Sequence, residues 1–221
     1  MALPEGWHDE LRRLLHAAEP IPDDWVALID AVRLERVPLT DATPFARMTG
    51  LTRLSLKLTR IDDVTPLADL VGLRSLVLSL TPVEDIAPLA ALTCLESLYL
   101  TGTLVRDLTP LTGLTALERL DLGGTEIEDL RPIAHLTRLR SLELSTTRVA
   151  DLRPLANLAA LEFLDLGDTR VEDASPLAGL TRLRRVDARG TPVIDLSMLP
   201  STCEIVSSAS YRRLRRAGQP R

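Results

Sequence analysis

A unit of 22 residues recurs along this chain, and its period constrains the fold more than any other feature. The copy from 73 to 94 carries leucine or valine at unit positions 4, 6, 11, 17 and 20. Adding 22 reproduces this pattern, so that eight registers cover residues 29 to 204. They begin at Ile29, Leu51, Leu73, Leu95, Leu117, Leu139, Leu161 and Leu183. A fixed period of this length is typical of a solenoid, in which each unit packs only against its neighbours.

Two polar positions recur with the apolar ones and predict the turns. Asp occupies position 13 in all eight registers, and Pro occupies position 16 in seven, with Met198 in the last. An Asp carboxylate can accept hydrogen bonds from the first amides of a helical turn, and Pro is tolerated there because its missing N–H is not needed. We therefore expect one or two turns, of 3₁₀ type, on this side. The Asp residues are Asp41, Asp63, Asp85, Asp107, Asp129, Asp151, Asp173 and Asp195.

The start of each unit predicts a strand. Alternation such as Leu76-Val77-Leu78 suits a short strand with one buried face, and equally spaced strands joined by crossovers form a parallel sheet. Thr at position 9 should point inward, so we interpret it as a hydroxyl ladder that satisfies buried backbone groups. A threonine-lined ligand face is the alternative. These residues are Thr59, Thr81, Thr103, Thr125, Thr147, Thr169 and Thr191.

The pattern LxxLxLxxTxV, found from Leu73 to Val83, resembles the leucine-rich repeat family, with Thr where many members carry Asn. The continuation DLxPLxxLxx resembles the 22-residue, internalin-like subclass of that family. The resemblance covers about four-fifths of the chain. It implies the α/β fold class, as a right-handed solenoid with a concave parallel β-sheet and short 3₁₀ or turn segments on the convex side.

The segment before the repeat predicts a cap. Residues 1–28 contain two stretches with one apolar helical face, the first around Trp7 and the second with Trp25 and Leu28 and continuing to Ile29. We interpret them as a helical N-terminal cap that covers the apolar layer of the first unit, as solenoids require. A helix pair that binds a partner is the alternative.

The end of the chain differs in composition from the repeat. The solenoid is predicted to span 29–206, with 203–206 as a last edge strand. Residues 207–221 form a basic tail with four arginines between Arg212 and Arg216. We expect a short amphipathic closing helix or an unstructured tail. A patch for nucleic acid or acidic lipid is a weaker interpretation, because aromatic residues are not interleaved with the arginines.

Composition and cysteine spacing limit the compartment and the partners. The formal net charge of −5 does not favour nucleic acid. The start MALPEGWHDE lacks the basic and apolar regions of a secretory signal, and no apolar stretch predicts a membrane span. Cys94 and Cys203 lie about 24 Å apart at β-sheet spacing, beyond disulfide reach. We therefore predict a cytoplasmic protein, unlike the secreted or surface-anchored internalins.

Acidic side chains are predicted to form a column on the concave face. Position 5 should point outward, and it carries Asp121, Glu143, Asp165 and Asp187 in successive registers. Adjacent strands place such carboxylates about 5 Å apart, where like charges repel. Flanking arginines should compensate in part, namely Arg119, Arg148, Arg170, Arg185 and Arg189. The column is interpreted as a solvated ion-pair ladder, a groove for a basic partner segment, or a site for divalent cations.

An apolar centre is predicted beside this column. Val77 and Tyr99 occupy position 5 of adjacent registers, so they should be cross-strand neighbours. The apolar residues along the same rim are Leu58, Leu80, Pro82 and Leu104. A tyrosine with an apolar surround and a charged margin is typical of an interface hot spot. We assign partner binding to Val77, Tyr99, Leu104 and the acidic column. The alternative is that position 8 tucks under the turn and the remainder is scattered surface apolar area.

An enzymatic role has weak support in the sequence. Two carboxylates about 5 Å apart match retaining glycosidases, so a carboxylate-dependent hydrolase is the remote alternative. Catalysis also needs an enclosed pocket that separates the two pKa values, which an open sheet does not offer. The three histidines are scattered, and Gly123-Gly124 precedes a Thr turn rather than a helix with Lys. We therefore predict no histidine triad, metal set or phosphate loop.

The combined pattern predicts a protein-protein interaction module. A partner protein, with a basic segment in one interpretation, would bind the concave face without a cofactor, and a monomer is favoured. The alternative function is a regulatory or sensor subunit that controls a separate enzyme of the phosphatase or GTPase type. Because one fold hosts many functions, this choice depends on the family resemblance.

Overall fold

The computed structural model describes residues 3–192 and 195–207, through which one open, parallel β-sheet runs. Neighbouring strands in the sheet are consecutive in the chain, and from β1 to β8 each residue pairs with the residue 22 positions later. The strands are β1 (Ala31–Arg33), β2 (Arg53–Ser55), β3 (Ser75–Val77), β4 (Ser97–Tyr99), β5 (Arg119–Asp121), β6 (Ser141–Glu143), β7 (Phe163–Asp165), β8 (Arg185–Ala188) and β9 (Glu204–Ser207). The predicted solenoid is confirmed, and β9 confirms the expected edge strand.

Short 3₁₀ segments connect the strands on the convex side, as the Asp and Pro positions predict. Seven are present in the described part of the chain, each with Pro in its first turn. They span Thr43–Phe45, Thr65–Leu67, Ala87–Ala91, Thr109–Leu111, Arg131–Ile133, Arg153–Leu155 and Ser175–Leu177. Leucine or another apolar residue at the third position of each turn is buried, so both sides of every unit contribute to one continuous core.

The Asp at position 13 caps each turn, as predicted. In all eight units its Oδ1 atom accepts a hydrogen bond of 2.7–2.9 Å from the backbone N–H two residues later. That N–H belongs to the first residue of the 3₁₀ segment in seven units, which would otherwise lack an acceptor. The repeated Asp is therefore explained by the turn.

Asp129→Ala should lower the free energy of unfolding by about 0.5–2 kcal/mol, because it removes one such cap. The Arg131 side chain and backbone N–H lower the pKa of Asp129, so ionisation stabilises the fold above the unfolded-state value of about 3.9. That part of the difference should disappear as the pH falls through the lowered folded-state pKa. Urea unfolding at pH 7 and pH 3 measures both effects. Asp129→Asn, which keeps an acceptor, is the matched control, and an Ala variant as stable as wild type would contradict the assignment.

The threonines at position 9 form the predicted hydroxyl ladder. In seven units the Oγ1 atom donates a hydrogen bond of 2.6–2.7 Å to the backbone carbonyl three residues earlier. The first six of these threonines are at most 5% exposed. A buried carbonyl without a partner would destabilise the fold, so this hydroxyl has a structural role and does not face a ligand.

Two helices pack at the N-terminal end of the sheet. α1 (Trp7–His16) buries Leu11, Leu14 and Leu15, and α2 (Asp23–Val26) buries Trp25. These side chains belong to the same buried cluster as the first units of the repeat. An ion pair between Asp23 and Arg47 also joins α2 to the first unit. The N-terminal segment thus covers apolar side chains at this end.

Leu28 departs from the sequence pattern. The helical period places it on the buried face with Trp25 and Ile29, but its side chain is 39% exposed. The helix ends at Val26, so the spacing of 3.6 residues per turn no longer applies at Leu28. Ile29 is 2% exposed and begins the buried positions of the first unit.

A left-handed backbone conformation recurs at position 8, which the sequence pattern did not reveal. The residues with positive φ at this position are Arg36, Leu58, Leu80, Gly102, Gly124, Thr146, Asp168 and Gly190. In the first seven, the N–H donates a 2.7–3.1 Å hydrogen bond to a carbonyl of the next unit. This conformation costs an L-residue about 1–2 kcal/mol, whereas glycine adopts it readily. Large side chains at this position are therefore retained against backbone strain.

The basic tail predicted at 207–221 falls largely outside the described residues. Ser207 is the last residue of β9, and residues 208–221 are not among those described. Over the ranges that are described, no helix has both the length and the apolar character needed to cross a membrane.

Candidate functional site

An apolar centre lies on the concave face over β2 to β4. Val77 and Tyr99 are paired directly across β3 and β4, which confirms the predicted neighbour relationship. Both side chains are half-buried, so each presents part of its apolar surface. Ser55 pairs with Val77 on the other side, and its Oγ atom is buried without a hydrogen-bond partner. This part of the face therefore offers apolar area, with Glu35, Lys57 and Asp121 at its margin.

Three leucines extend this centre along the rim. Leu58, Leu80 and Leu104 are 37%, 48% and 53% exposed, and Pro82 is exposed beside them. The alternative that position 8 tucks under the turn is not what the structure shows. Large exposed apolar side chains are scattered on most proteins, but these residues lie in three consecutive units of the repeat. We call Val77, Tyr99, Leu58, Leu80, Pro82 and Leu104 the apolar patch.

Leu80 is held in place by its neighbour in the next unit. Gly102 has a positive φ of 64°, and a Cβ atom on it would lie only 2.7 Å from Leu80 Cδ2. The Leu80 side chain therefore covers the Gly102 backbone, and a larger residue at 102 would displace it. The Leu80 backbone is in the strained left-handed conformation, and its side chain occupies space that a side chain at position 102 would need.

The four acidic residues of the column lie side by side as predicted. Asp121 pairs with Glu143 across β5 and β6, Glu143 with Asp165, and Asp165 with Asp187. The aspartates also bind their own backbone. Asp121 and Asp165 accept hydrogen bonds of 3.0 and 2.8 Å from the N–H two residues later. These carboxylates therefore satisfy the second amide beyond the strand, while the first donates to a carbonyl of the next strand.

Asp187 is paired within its own unit. The residue is 6% exposed. Its carboxylate accepts bidentate hydrogen bonds from the Arg189 guanidinium, the shortest of which is 2.7 Å. Burial raises the pKa of Asp187, but the Arg189 side chain and N–H outweigh burial, so the pKa is lowered. At neutral pH the Asp187 carboxylate is ionised, and the Arg189 guanidinium neutralises its charge.

Three of the other arginines expected to compensate the column are engaged elsewhere. Arg148 forms ion pairs of 3.1 and 3.7 Å with Glu126 and Glu128, and Arg119 donates to Ser97. Arg185 approaches Glu204 at 3.7 Å. The predicted ion-pair ladder therefore holds at Asp187 and does not extend along the column.

Glu143 and Asp165 remain as neighbouring carboxylates without a cationic partner in contact. Burial, and then the charges of Asp121 and Asp165, raise the pKa of Glu143. Burial is also the main cause that raises the pKa of Asp165, with the charge of Asp187 adding to it. Both shifts show that the negative charge is disfavoured in the free protein. A cation placed between them would reverse this.

Phe163 is a candidate residue that the sequence interpretation missed. It is 45% exposed at the start of β7, on the same face as Asp165 and two residues before it. Its cross-strand neighbours are Ser141 and Arg185. The available signal was an aromatic residue at an outward position of a unit, in a chain with 3% aromatic residues.

The geometry does not support the two chemical alternatives for the column. A hydrolytic pair needs one carboxyl with a raised pKa and one available ionised carboxylate. The pKa values of Glu143 and Asp165 are raised by the same main cause, burial, so their surroundings do not assign one as the acid and the other as the base, and Asp187 is occupied by Arg189. Within residues 3–192 and 195–207, no group of three or more His, Cys, Asp or Glu side chains is arranged to hold a metal ion.

The repeat geometry agrees with comparisons to known proteins. A family model described as leucine-rich repeats in two copies matches residues 115–157. The chain is therefore similar to leucine-rich repeat proteins of the internalin-like type. No protein among the curated ones compared matches the sequence.

Solved structures of leucine-rich repeat proteins share this fold. An internalin (inlF) from Listeria monocytogenes aligns with a TM-score of 0.82 and 29% identity, over 91% of this chain and 62% of its own. Internalin C2 (inlC2) from the same species aligns with a TM-score of 0.81 and 28% identity, over 93% of both chains. A leucine-rich repeat protein from Leptospira interrogans, 18% identical, aligns over 84% of this chain and 57% of its own with a TM-score of 0.72, which shows the fold alone.

Leucine-rich repeat proteins of this kind generally serve as protein-interaction modules. The present chain spans less than two-thirds of the inlF chain but almost all of inlC2. The fold explains the recurring Asp, Thr and Pro positions of the repeat. The apolar patch, Glu143 and Phe163 are outside those explanations, so they are the candidates for contacts with another molecule.

Proposed function

We propose that this leucine-rich repeat protein binds a partner protein on its concave face, with the apolar patch as the centre of the interface. The observation that carries the proposal is the pair Leu58 and Leu80. Both are large, exposed and apolar, and both adopt a left-handed conformation in which glycine would be favoured. The repeat imposes this conformation at position 8, and strained residues of this kind cluster at functional sites, which supports a role for these two exposed leucines.

The make-up of the surroundings supports the same conclusion. Tyr99 and Val77 lie side by side in the sheet next to Leu80, and the acidic column begins one strand away at Asp121. Interfaces typically have an apolar, aromatic centre and a charged margin. Surface aromatic and leucine side chains that are half-exposed in the free protein gain most from burial against a partner.

Tyr99→Ala combined with Val77→Ser should weaken partner binding at least tenfold, because truncation at a hot spot costs about 2 kcal/mol or more. The melting temperature should change little, since both side chains are only half-buried. Affinity capture from the native lysate identifies proteins retained by wild type, and biolayer interferometry then measures their affinity for each variant. Val71→Ser is the matched control, because Val71 is 56% exposed but lies away from the patch.

Leu80→Gly separates the role of the patch from its effect on folding. Glycine relieves the strain at a positive φ, so the free protein should be about as stable as wild type despite the larger unfolded-state entropy of glycine. Partner binding should nevertheless fall. Partners retained equally by wild type, the double variant and Leu80→Gly would place the interface on another surface and refute the proposal.

A further inference from the structure

Among the described residues, the carboxylates of Glu143 and Asp165 form no ion pair, although Arg185 and Arg189 line the same groove and pair with Glu204 and Asp187 instead. Between successive units, Arg140 pairs with Glu162 at 2.7 Å and Glu162 with Arg184 at 3.3 Å. On the concave face, two like charges instead lie on adjacent, directly paired residues. Like charges directly opposite one another destabilise a sheet, so their arrangement is not explained by the fold.

Phe163 adds an aromatic surface to the same place. It precedes Asp165 by two residues on β7, and side chains at this spacing share one face of a strand. Its neighbour Ser141 is small, so the ring is not covered from that side, and it is 45% exposed. An aromatic face attracts a Lys or Arg cation, and nearby carboxylates strengthen the attraction. An apolar or anionic group would not be favoured by both features.

The distance from this place to the apolar patch is set by the sheet. Tyr99 is on β4, Glu143 on β6 and Asp165 on β7, which corresponds to about 10 and 14 Å at the usual strand spacing. In the two intervening units, position 7 carries Gly123 and the small residue Ser145. Asp121, which lies on this path, is engaged by Thr101 Oγ1 at 2.6 Å and by the Gly123 N–H.

We infer that the partner binds through a segment that carries an apolar anchor and, about 10–14 Å away, a Lys or Arg side chain. The anchor contacts Tyr99, Val77 and Leu80, and the cation lies between Glu143 and Asp165 beside the Phe163 ring. This inference rests on the proposed function of the concave face and adds the chemistry of the partner. The spacing corresponds to three or four residues of an extended segment, or to seven to nine residues of a helix, at roughly 3.3 and 1.5 Å per residue.

The test uses a random library of 12-residue peptides displayed on phage and selected on the full-length protein. We expect enrichment of sequences that combine Leu, Phe, Trp or Tyr with Lys or Arg at one of these spacings. The same selection is carried out on Glu143→Gln/Asp165→Asn, on Tyr99→Ala, and on Glu84→Gln/Glu172→Gln. The last variant removes the same charge from exposed residues that lie away from the face.

The affinity of the most enriched peptide, made synthetically, should fall at least tenfold on Glu143→Gln/Asp165→Asn. It should also weaken with added salt, because exposed charges are screened within about 8 Å at physiological ionic strength. Glu84→Gln/Glu172→Gln should bind like wild type. Neutralising Glu143 and Asp165 should not lower the melting temperature, so weaker binding cannot be attributed to unfolding. Phe163→Leu, which keeps an apolar side chain without the aromatic face, should also lower the affinity for the peptide.

The outcomes distinguish this inference from the proposed function. Enriched peptides that depend on Tyr99 but contain no excess of Lys or Arg would overturn the inference and leave the proposed function standing. Peptides that bind Tyr99→Ala as well as wild type would overturn both. Deletion of residues 208–221, which contain Tyr211, Leu214 and five arginines, provides one more arm. If this deletion strengthens peptide binding tenfold on wild type but not on Glu143→Gln/Asp165→Asn, the chain's own C-terminal segment is the occupant, and the partner assignment is wrong.

Discussion

Deletion of residues 1–28 should cause the largest loss of stability of any change considered for this protein, with aggregation or fraying from the N-terminal end. The deleted segment buries Leu11, Leu14, Leu15 and Trp25 in a cluster that continues into the first unit. Each large apolar side chain that loses such cover contributes about 1.5–3 kcal/mol. Each kcal/mol lowers the melting temperature of a chain of this size by about 2–4 °C. Size-exclusion chromatography with light scattering and thermal unfolding measure both effects.

A matched pair of substitutions within the N-terminal segment tests the same point without truncation. Trp25 is 9% exposed, and Trp25→Ala should cost about 3–5 kcal/mol. Leu28, three residues later, is 39% exposed, and Leu28→Ala should have a much smaller effect. A truncated chain that stays monomeric with an unchanged unfolding midpoint would show that the segment is not a cap. Equal effects of the two substitutions would show that α2 is packed differently.

Leu142→Ala should lower the free energy of unfolding by about 2–5 kcal/mol, the largest effect expected from one substitution within the sheet. Leu142 is fully buried at the centre of β6 and pairs with Leu120 and Leu164 on the neighbouring strands. In a solenoid each unit is supported only by its neighbours, so few other contacts can close the cavity. The melting temperature should fall by roughly 4–20 °C. Urea unfolding of the purified variant gives the free energy directly.

Leu142→Met is the control for this substitution, because a volume-conserving exchange usually costs less than about 1.5 kcal/mol. Ser141→Ala, one residue earlier on the outward face, should have little effect on stability. If Leu142→Ala and Leu142→Met were equally stable, the side chain at 142 would not be packed in the core. The alternation of buried and outward positions along the strands would then be wrong.

The repeated part of the fold was predictable because each unit carries the same residue types at the same positions. Asp at position 13 and Thr at position 9 have local hydrogen-bond roles that depend on residues two or three positions away. Such roles follow from short-range geometry, and eight copies remove most ambiguity. At the N-terminus only one copy of the pattern exists, so a helix end that shifted the position of Leu28 could not be recognised.

The left-handed residue at position 8 shows a different limit. Gly102, Gly124 and Gly190 carry the expected signal for a positive φ, but Leu58 and Leu80 obscure it. Propensity rules favour glycine there, and the sequence alone gives no reason to accept strain in a leucine. The structure is needed to see that five non-glycine residues adopt the same conformation.

The sequence predicted which residues of the candidate site are neighbours, but it did not predict which carboxylates pair with arginines. The register of Asp121, Glu143, Asp165 and Asp187 follows from the period. Which carboxylate pairs with a cation depends on the direction of each arginine side chain, and Arg189 turns back onto the column. Long arginine side chains have many rotamers, so spacing in the sequence does not determine their partners.

The separation between Tyr99 and Glu143 is set by the number of strands between them and does not depend on the conformation of a loop. Adjacent strands are about 4.8 Å apart, so this separation can change only in whole steps, when a complete unit of 22 residues is gained or lost. The hydrogen bonds of the turns would be unaffected, since each joins residues of the same or the neighbouring unit. Duplication or deletion of one unit between β4 and β6 would therefore lengthen or shorten the distance between Tyr99 and Glu143. The apolar patch and the carboxylates at either end of that distance would be unchanged.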